Sequence, residues 1–352
     1  MKILVTGASG FLGAWIVRAC LDAGDEVRVL ARKTSRLDGL AGLPIDVREG
    51  DVLDRRSVER ACKGVRAVIH AAGLHALRRR DRDTLFRVNV EGTRNVLEVA
   101  AARGVRAIHT STIGTIGLTD QPVVLDETAR LAPARAAQHP YAATKLAAEH
   151  IALGLARDGA DVVVLNPGLL LGPGDLRLSS TRFVHAYLRR QAPFFPAGGT
   201  SFGDVRAVAA VYPTALRKGR PGERYVLAGL NRSYRDVFDA LSRASGLPRG
   251  WPLPSLLATW WGLASDAAGL VTEHPFEEFS LGTVAYSTRF NYCDSAKAQA
   301  ELGYAPGDFD ALVSATVADH LARGALSEPG APPVRRPRAL AAGPRDADPT
   351  MR

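Results

Sequence analysis

From residue 2 to about residue 166 short β-branched or aliphatic runs alternate with longer stretches in which apolar residues recur every three or four positions. A short apolar run reads as a strand, and the longer period as a helix with one buried face. Strands are predicted over residues 3–6, 26–31, 46–49, 67–70, 107–110 and 161–165, with helices between them. Such alternation predicts an α/β fold, a Rossmann-type doubly wound parallel sheet, because right-handed crossovers place helices on both faces.

Beyond Gly172 prolines and glycines break the pattern, leaving a strand near 225–227 and helices near 234–244, 295–302 and 309–322. The expected division is a dinucleotide-binding domain over 1–171 with a returning segment around 203–230, then a smaller α+β, mainly substrate-binding domain over 172–325. Placed over the carboxyl ends of the strands, the second domain forms the other wall of a cleft. Residues 251–271 combine Trp260-Trp261 with many aliphatics. Asp266, two prolines and the lack of an apolar run of about 18 residues argue against a membrane-surface helix, so packing over the substrate cavity or at a subunit contact is expected. Residues 328–352, rich in Pro, Ala, Gly and Arg, read as a disordered tail.

Composition narrows the class. Hydrophobic residues make up 46% and charged residues 23%, which excludes global disorder, a collagen-like chain and a multi-span membrane protein. The net charge of +9 is spread along the chain, and the densest cluster, Arg78-Arg79-Arg80-Asp81-Arg82-Asp83, is punctuated by acids, so it reads as a solvated segment and no nucleic-acid partner is expected. Cys20, Cys62 and Cys293 are odd in number, far apart and without metal spacing, as reduced core residues would be. Glycines interrupt the amino-terminal apolar run too early for a signal peptide, and a soluble, cytoplasmic protein with no membrane span is expected.

Thr6-Gly7-Ala8-Ser9-Gly10-Phe11-Leu12-Gly13 follows the first strand and opens an amphipathic helix. A tight turn at Gly7, close approach of a pyrophosphate at Gly10 and helix-to-strand packing at Gly13 make a dinucleotide loop whose helix amides face the anion. After the second strand an acid selects NAD and an arginine accommodates the extra phosphate of NADP. Here the chain reads Ala31-Arg32-Lys33-Thr34-Ser35, so Arg32 points to NADP(H), with NAD(H) the alternative. Asp51 after the third strand is either an adenine contact or a turn-forming residue.

In His139-Pro140-Tyr141-Ala142-Ala143-Thr144-Lys145 the four-residue spacing puts Tyr141 and Lys145 on one helical face. A phenol with a pKa near ~10 is a poor base at neutral pH, but a neighbouring ammonium favours phenolate, and the same group donates its proton in the reverse direction. The run His109-Thr110-Ser111-Thr112, one crossover earlier, offers a hydroxyl to hold a substrate carbonyl beside the tyrosine.

These pieces, with Gly50-Asp51-Val52, His70-Ala71-Ala72-Gly73, Asn89-Val90-Glu91-Gly92-Thr93, Asn166-Pro167-Gly168 and Gly172-Pro173-Gly174, resemble the extended short-chain dehydrogenase/reductase family over roughly residues 1–325. The resemblance implies that Tyr141 is the acid/base and that Lys145 holds the nicotinamide ribose and lowers the tyrosine pKa. In that family the catalytic hydroxyl stands five residues before a recurring small residue, here Gly117, which implies Thr112 rather than Ser111. It further implies a cofactor lining of Gly7, Ser9, Gly10, Phe11, Leu12, Gly13, Arg32, Asp51, Val52, Ala71, Ala72, Tyr141, Lys145, Pro167 and Gly168, no metal, and a homodimer through the helices containing 88–102 and 141–156.

The family's nucleotide-sugar enzymes carry an Asn after the sixth strand and an Arg before a later Asp-Val-Ala-type segment; this chain has Leu169 and Thr200 there. Residues 202–209, Phe-Gly-Asp-Val-Arg-Ala-Val-Ala, look instead like the segment of dihydroflavonol and cinnamoyl-CoA reductases, with Ala207 replacing one acid. The reading is an NADPH-dependent reductase of a ketone or aldehyde on a small, fairly apolar molecule. A nucleotide-sugar or sugar epimerase/dehydratase is the alternative, and a non-catalytic dinucleotide sensor a third. Residues 179–187 and 251–272, with Phe194, Phe195 and Trp260, are the candidates to line the substrate pocket, although core packing explains any one aromatic equally well.

Overall fold

The computed structural model describes residues 1–75, 81–191, 193–268 and 281–325. The Arg78–Arg80 cluster, positions 269–272 of the tryptophan segment and the expected tail lie outside them.

Seven strands form one parallel sheet: β1 (Lys2–Thr6), β2 (Glu26–Ala31), β3 (Ile45–Glu49), β4 (Ala67–His70), β5 (Arg106–Thr110), β6 (Val162–Pro167) and β7 (Arg224–Leu227). Their order across the sheet is β7-β6-β5-β4-β1-β2-β3. Val5 of β1 lies between Val29 of β2 and Ile69 of β4, so the first strand sits where the chain reverses its direction of winding. At that switch point the loops after β1 and β4 diverge to opposite faces and leave a crevice at their carboxyl ends.

Alternation along the strands fills two apolar layers. Ile3 and Val5 face one side, against α1 (Phe11–Asp22) and the helix Val205–Lys218. Leu4 faces the other, with Val68 and Ala107, against α2 (Gly92–Ala102) and α3 (Pro140–Arg157). All six strands expected from the first half are present, each with bounds within two residues of the expectation. Cys20, Cys62 and Cys293 are free and buried, and burial pushes the Cys62 thiol up to about 11.

The later chain contributes to both assemblies. β7 completes the large sheet by pairing with β6. A second sheet is centred on Gly199–Asp204, which pairs with Leu230–Ser233 on one side and with Leu169–Leu171 and Phe290–Cys293 elsewhere along its length. Behind it Tyr187, Phe202, Phe238 and Phe309 form a separate apolar core with the helices Tyr234–Ser245 and Phe309–Ala322. Phe195 belongs to that core, its ring tilted by 43° against that of Phe238 at 5.4 Å, whereas Phe194 is exposed. Among the described residues no helix is long and apolar enough to cross a membrane.

The tryptophan segment forms the helix α4 (Ser255–Ala268). Its buried positions are the small residues Ala258, Gly262 and Ser265, while Leu256 and Trp260 are 78% and 70% exposed. Positions 256, 260 and 263 form one stripe at helical spacing, and 258, 262 and 265 the opposite one. Leu256, Trp260 and Leu263 therefore stand exposed on the face opposite Ala258, Gly262 and Ser265 rather than over a cavity of this chain.

Candidate active site

The first loop is built by backbone geometry. Gly7 has φ +77°, and a Cβ there would stand 2.4 Å from the Ala72 nitrogen and 2.6 Å from the Ala71 oxygen. A Cβ on Gly13 would meet the Gly7 oxygen at 2.1 Å. Both contacts forbid a side chain, so the loop is pressed against the segment after β4. Gly10 is the N-cap of α1 and donates to the Gly7 oxygen at 2.9 Å, but no side chain caps the helix and its first turn contains no acid. Ser9, Phe11 and Leu12 lie at this uncapped, electropositive end. A tight cradle with free helix amides fits a pyrophosphate.

Arg32 follows β2, is exposed, and its backbone N–H donates to Ser35 Oγ at 3.1 Å. Among the described residues no carboxylate pairs with its guanidinium. Asp51 accepts the Leu53 N–H at 3.0 Å, which is the turn-forming role considered for it. Val52 packs against Gly92, where a Cβ would stand 2.9 Å from its Cγ2. Gly168 presses against the Ser201 oxygen, 2.6 Å from where its Cβ would be, and Pro167 ends β6.

At the switch point His70 accepts or donates on both ring nitrogens, to Thr6 Oγ1 at 2.8 Å and Thr93 Oγ1 at 3.0 Å. Burial lowers its pKa to about 3, so the ring is neutral and pins β1 to β4 and to α2. Asn89 lies in a wide helical turn, Arg87–Glu91, and its amide bonds the Leu74 oxygen and Thr144 Oγ1, both at 3.0 Å. Thr144 Oγ1 in turn donates to the Tyr141 oxygen at 2.9 Å. Neither His70 nor Asn89 was singled out as a site residue by sequence, although both stand in motifs that were.

Tyr141 and Lys145 lie one turn apart near the start of α3, which begins with Pro140 behind the N-cap His139. Lys145 Nζ donates to the Thr110 oxygen at 2.7 Å, two residues before Thr112. The Tyr141 ring meets those of His75 at 4.6 Å and His139 at 6.3 Å. Burial pushes the phenol up to about 12 and the Lys145 ammonium down to about 8, opposed in part by Glu149. The lowering of the phenol expected from its neighbour is thus outweighed by desolvation in the protein alone. At neutral pH Tyr141 is a protonated donor.

The two candidate hydroxyls separate cleanly. Ser111 is buried and donates to Glu149 Oε2 at 2.6 Å. Thr112 caps the following short helix by accepting the Gly114 N–H at 3.2 Å, and among the described residues its own proton goes to no acceptor. Thr112 Oγ1 and the Tyr286 hydroxyl converge, 3.6 and 3.5 Å from the position of a Cβ on Gly114. Tyr286 faces His139 at 5.3 Å, so His139 stands next to both the Tyr141 and the Tyr286 rings. A pocket beside them is lined by Leu118, Leu131, Ala142, His139 and Tyr286 together with the polar Gln138, Arg135 and Arg289. Among the described residues no group of three or more His, Cys, Asp or Glu side chains is placed to hold a metal.

Asp175 accepts the Ser180 and Thr181 N–H groups on its carboxylate at 2.9 Å. It fixes the start of the expected substrate-lining segment 179–187. Trp15 of α1 reaches the same turn, donating to the Pro173 oxygen at 3.0 Å.

Residues 3–228 match the family model described as NAD dependent epimerase/dehydratase family. A Synechocystis protein named putative dihydroflavonol 4-reductase is 35% identical over 308 residues, 85% of this chain and 88% of the relative. Sterol demethylase protein B of Methylococcus capsulatus is 33% identical over 338 residues, 93% of this chain and the whole relative. Among solved structures, that of gox2253 superposes with a TM-score of 0.81 at 30% identity, covering 92% of this chain and 99% of that one.

Proposed function

The chain belongs to the NAD dependent epimerase/dehydratase family, whose members are NAD(P)-dependent enzymes acting on CH–OH or carbonyl groups, and from that premise we propose an NADPH-dependent reductase of a ketone or aldehyde on a small, fairly apolar molecule. The observation that carries the reading is the pair of unspent hydroxyls: among the described residues neither Tyr141 nor Thr112 donates its proton, while the adjacent Ser111 is tied to Glu149. Brought to one carbonyl oxygen, two such donors would meet the negative charge it gains on reduction.

The dinucleotide would be held by Gly7, Ser9, Gly10, Phe11, Leu12 and Gly13 at the pyrophosphate, by Arg32 at the extra phosphate, by Asp51 and Val52 at the adenine, by Ala71, Ala72, Pro167 and Gly168 along its length, and by Lys145 at the nicotinamide ribose. Bound there, it supplies the hydride. Thr112 orients the substrate carbonyl by hydrogen bonding its oxygen, and Tyr141 gives that oxygen its proton. With the phenol held near 12, proton donation is the direction for which the protein alone is prepared.

Two positions support reduction over sugar epimerisation. Leu169 opens a strand paired with Phe202, and Thr200 is buried within its own strand, so neither offers the charged or amide contact that a diphosphate needs. The names of the two relatives, a dihydroflavonol reductase and a sterol demethylase protein, likewise support an apolar substrate.

Tyr141→Phe is expected to cut NADPH-dependent reduction across a panel of carbonyl compounds by about 10²-fold or more, with NADPH binding retained. An unchanged rate overturns the assignment, and turnover without net NADPH consumption marks an epimerase. Arg32→Ala is expected to weaken NADPH by about 10-fold or more and NADH hardly at all, measured by fluorescence titration. Equal losses remove Arg32 from the phosphate site.

A further inference from the structure

Glu149 is the buried acid of α3. We propose that Glu149, paired with Arg224 in the interior, is a positioning residue that fixes the Thr112 loop and sets a carboxylate one turn from Lys145. The proposal rests on the reductase reading for its kinetic consequences.

Tyr141, Lys145 and Glu149 follow one another at four-residue intervals along α3, so the carboxylate lies one turn below the ammonium on the same side of the helix. Three donors converge on Glu149 Oε2: the Ser111 hydroxyl at 2.6 Å, the Thr115 hydroxyl at 2.7 Å and the Asn166 amide at 2.7 Å. Oε1 accepts from Arg224 at 3.0 Å, with side chains only 1% and 3% exposed. One of the three donors also holds Thr112: its carbonyl accepts from the Asn166 amide at 3.1 Å, and it stands 2.8 Å from the Thr115 hydroxyl, whose single proton can serve it only in place of Glu149. A shift of the carboxylate therefore moves the peptide that carries the Thr112 hydroxyl.

Arg224 extends the link to a third segment. It donates to the Glu127 oxygen and, at 2.7 Å, to the Ala129 oxygen, and Glu127 Oε1 accepts the Val226 N–H at 2.8 Å. The pair thus joins α3, β6, β7, the Thr112 loop and the strap leading to Leu131, whose N–H bonds the Thr115 oxygen at 3.0 Å. A buried ion pair is weak ground for stability as such, since apolar replacement of both partners is often neutral. What apolar residues could not supply is four directed acceptor bonds and a negative charge one turn from Lys145.

The groups facing Lys145 are Glu149 on its own helix and His70 and His109 on β4 and β5, both rings buried and held neutral, with Tyr141 a neutral phenol. Arg224 and Arg130 face Glu149 from the far side. Glu149 is the anion that opposes desolvation of the ammonium, and its removal lowers the pH at which Lys145 loses its proton.

The test is Glu149→Gln in the full chain, with the Lys145 side chain followed by NMR of lysine-labelled protein and identified by its loss in Lys145→Arg. Titration of Lys145 should move to lower pH by about one unit, and the alkaline limb of kcat should move with it. kcat should fall about 10-fold or more while KM for NADPH stays within about twofold. Glu149→Asp, which keeps the charge, should return the titration towards that of the parent while leaving kcat low. If Glu149→Gln alone does not fold, Glu149→Gln with Arg224→Met, which removes both charges, is the protein to measure. An unmoved Lys145 titration in a folded variant overturns the proposal. That readout needs no substrate, so it fails or succeeds apart from the reductase reading, which Tyr141→Phe tests in the catalytic assay.

Discussion

The glycine loop after β1 and the helix Ser255–Ala268 treat small residues in opposite ways. In the loop, Gly7 and Gly13 let backbone meet backbone, and bulky Val5 and Ile69 fill the layer beneath. In the helix, Ala258 and Gly262 turn inward while Leu256, Trp260 and Leu263 face out. The first region spends its small residues on a ligand cradle whose shape leaves no latitude; the second packs by them and leaves its apolar bulk uncovered. Tight geometry at the cofactor end and loose dependence at the outer helix should therefore show as very different sensitivities to substitution.

The largest effect is expected at the loop. Gly7→Ala adds a Cβ where backbone already stands within 2.6 Å and forces an L-residue to a positive φ. It should cost about 2–5 kcal/mol of stability and abolish measurable dinucleotide binding. Retained NADPH binding, read by fluorescence titration, would erase the contrast.

Acid should come next, and it acts on the region around the loop. His70 has its pKa lowered to about 3 and His139 to about 4, both by burial, whereas unfolded histidine titrates near ~6.5. The unfolded chain then binds more protons throughout that interval, so stability rises with pH across it and is lost as pH falls from about 6.5 towards 4. Tm is expected to drop by about 10 °C between pH 7 and pH 4, and His70→Asn should flatten the slope. A Tm independent of pH would show that His70 does not pin β1 to β4 as a neutral ring.

The smallest effects separate the two faces of the outer helix. Ala258→Leu should cost about 1–3 kcal/mol by overpacking, whereas Trp260→Ser should change stability by less than about 0.5 kcal/mol. Chemical denaturation of the two variants checks the order, and a reversed order means that the bulky face is covered in solution.

How much of this was readable in the residues follows the same division. The six strands of the first half were legible because each is a continuous apolar run flanked by turn residues, and the helix Phe309–Ala322 because its cap Asp308 and its apolar stripe agree. The paired strands Val124–Leu125, Leu169–Leu171 and Gly199–Asp204 were not, since the first two are only two and three residues long and the third, with two glycines and a serine, carries no clear period. Tyr141, Lys145 and the glycines stand at fixed local spacings and could be named. The choice of Thr112 over Ser111 needed a resemblance, and its physical counterpart, the bond from Ser111 to Glu149, joins residues 38 positions apart. Arg224, 75 positions from Glu149, left no local sign at all. For Ser255–Ala268 apolar bulk alone left two placements open, over a cavity or at a subunit contact, and gave no sign that small residues form the buried stripe.

That β7 comes from so late in the chain bears on synthesis. While the ribosome has yet to extrude Arg224–Leu227, the nascent α/β layer ends in the bare edge of Val162–Pro167, and the Glu149 carboxylate awaits its guanidinium. Such an edge is open to strand pairing with other polypeptides. A truncation ending near residue 218 should therefore aggregate although it keeps the whole glycine loop, and the last strand serves the growing chain as a seal.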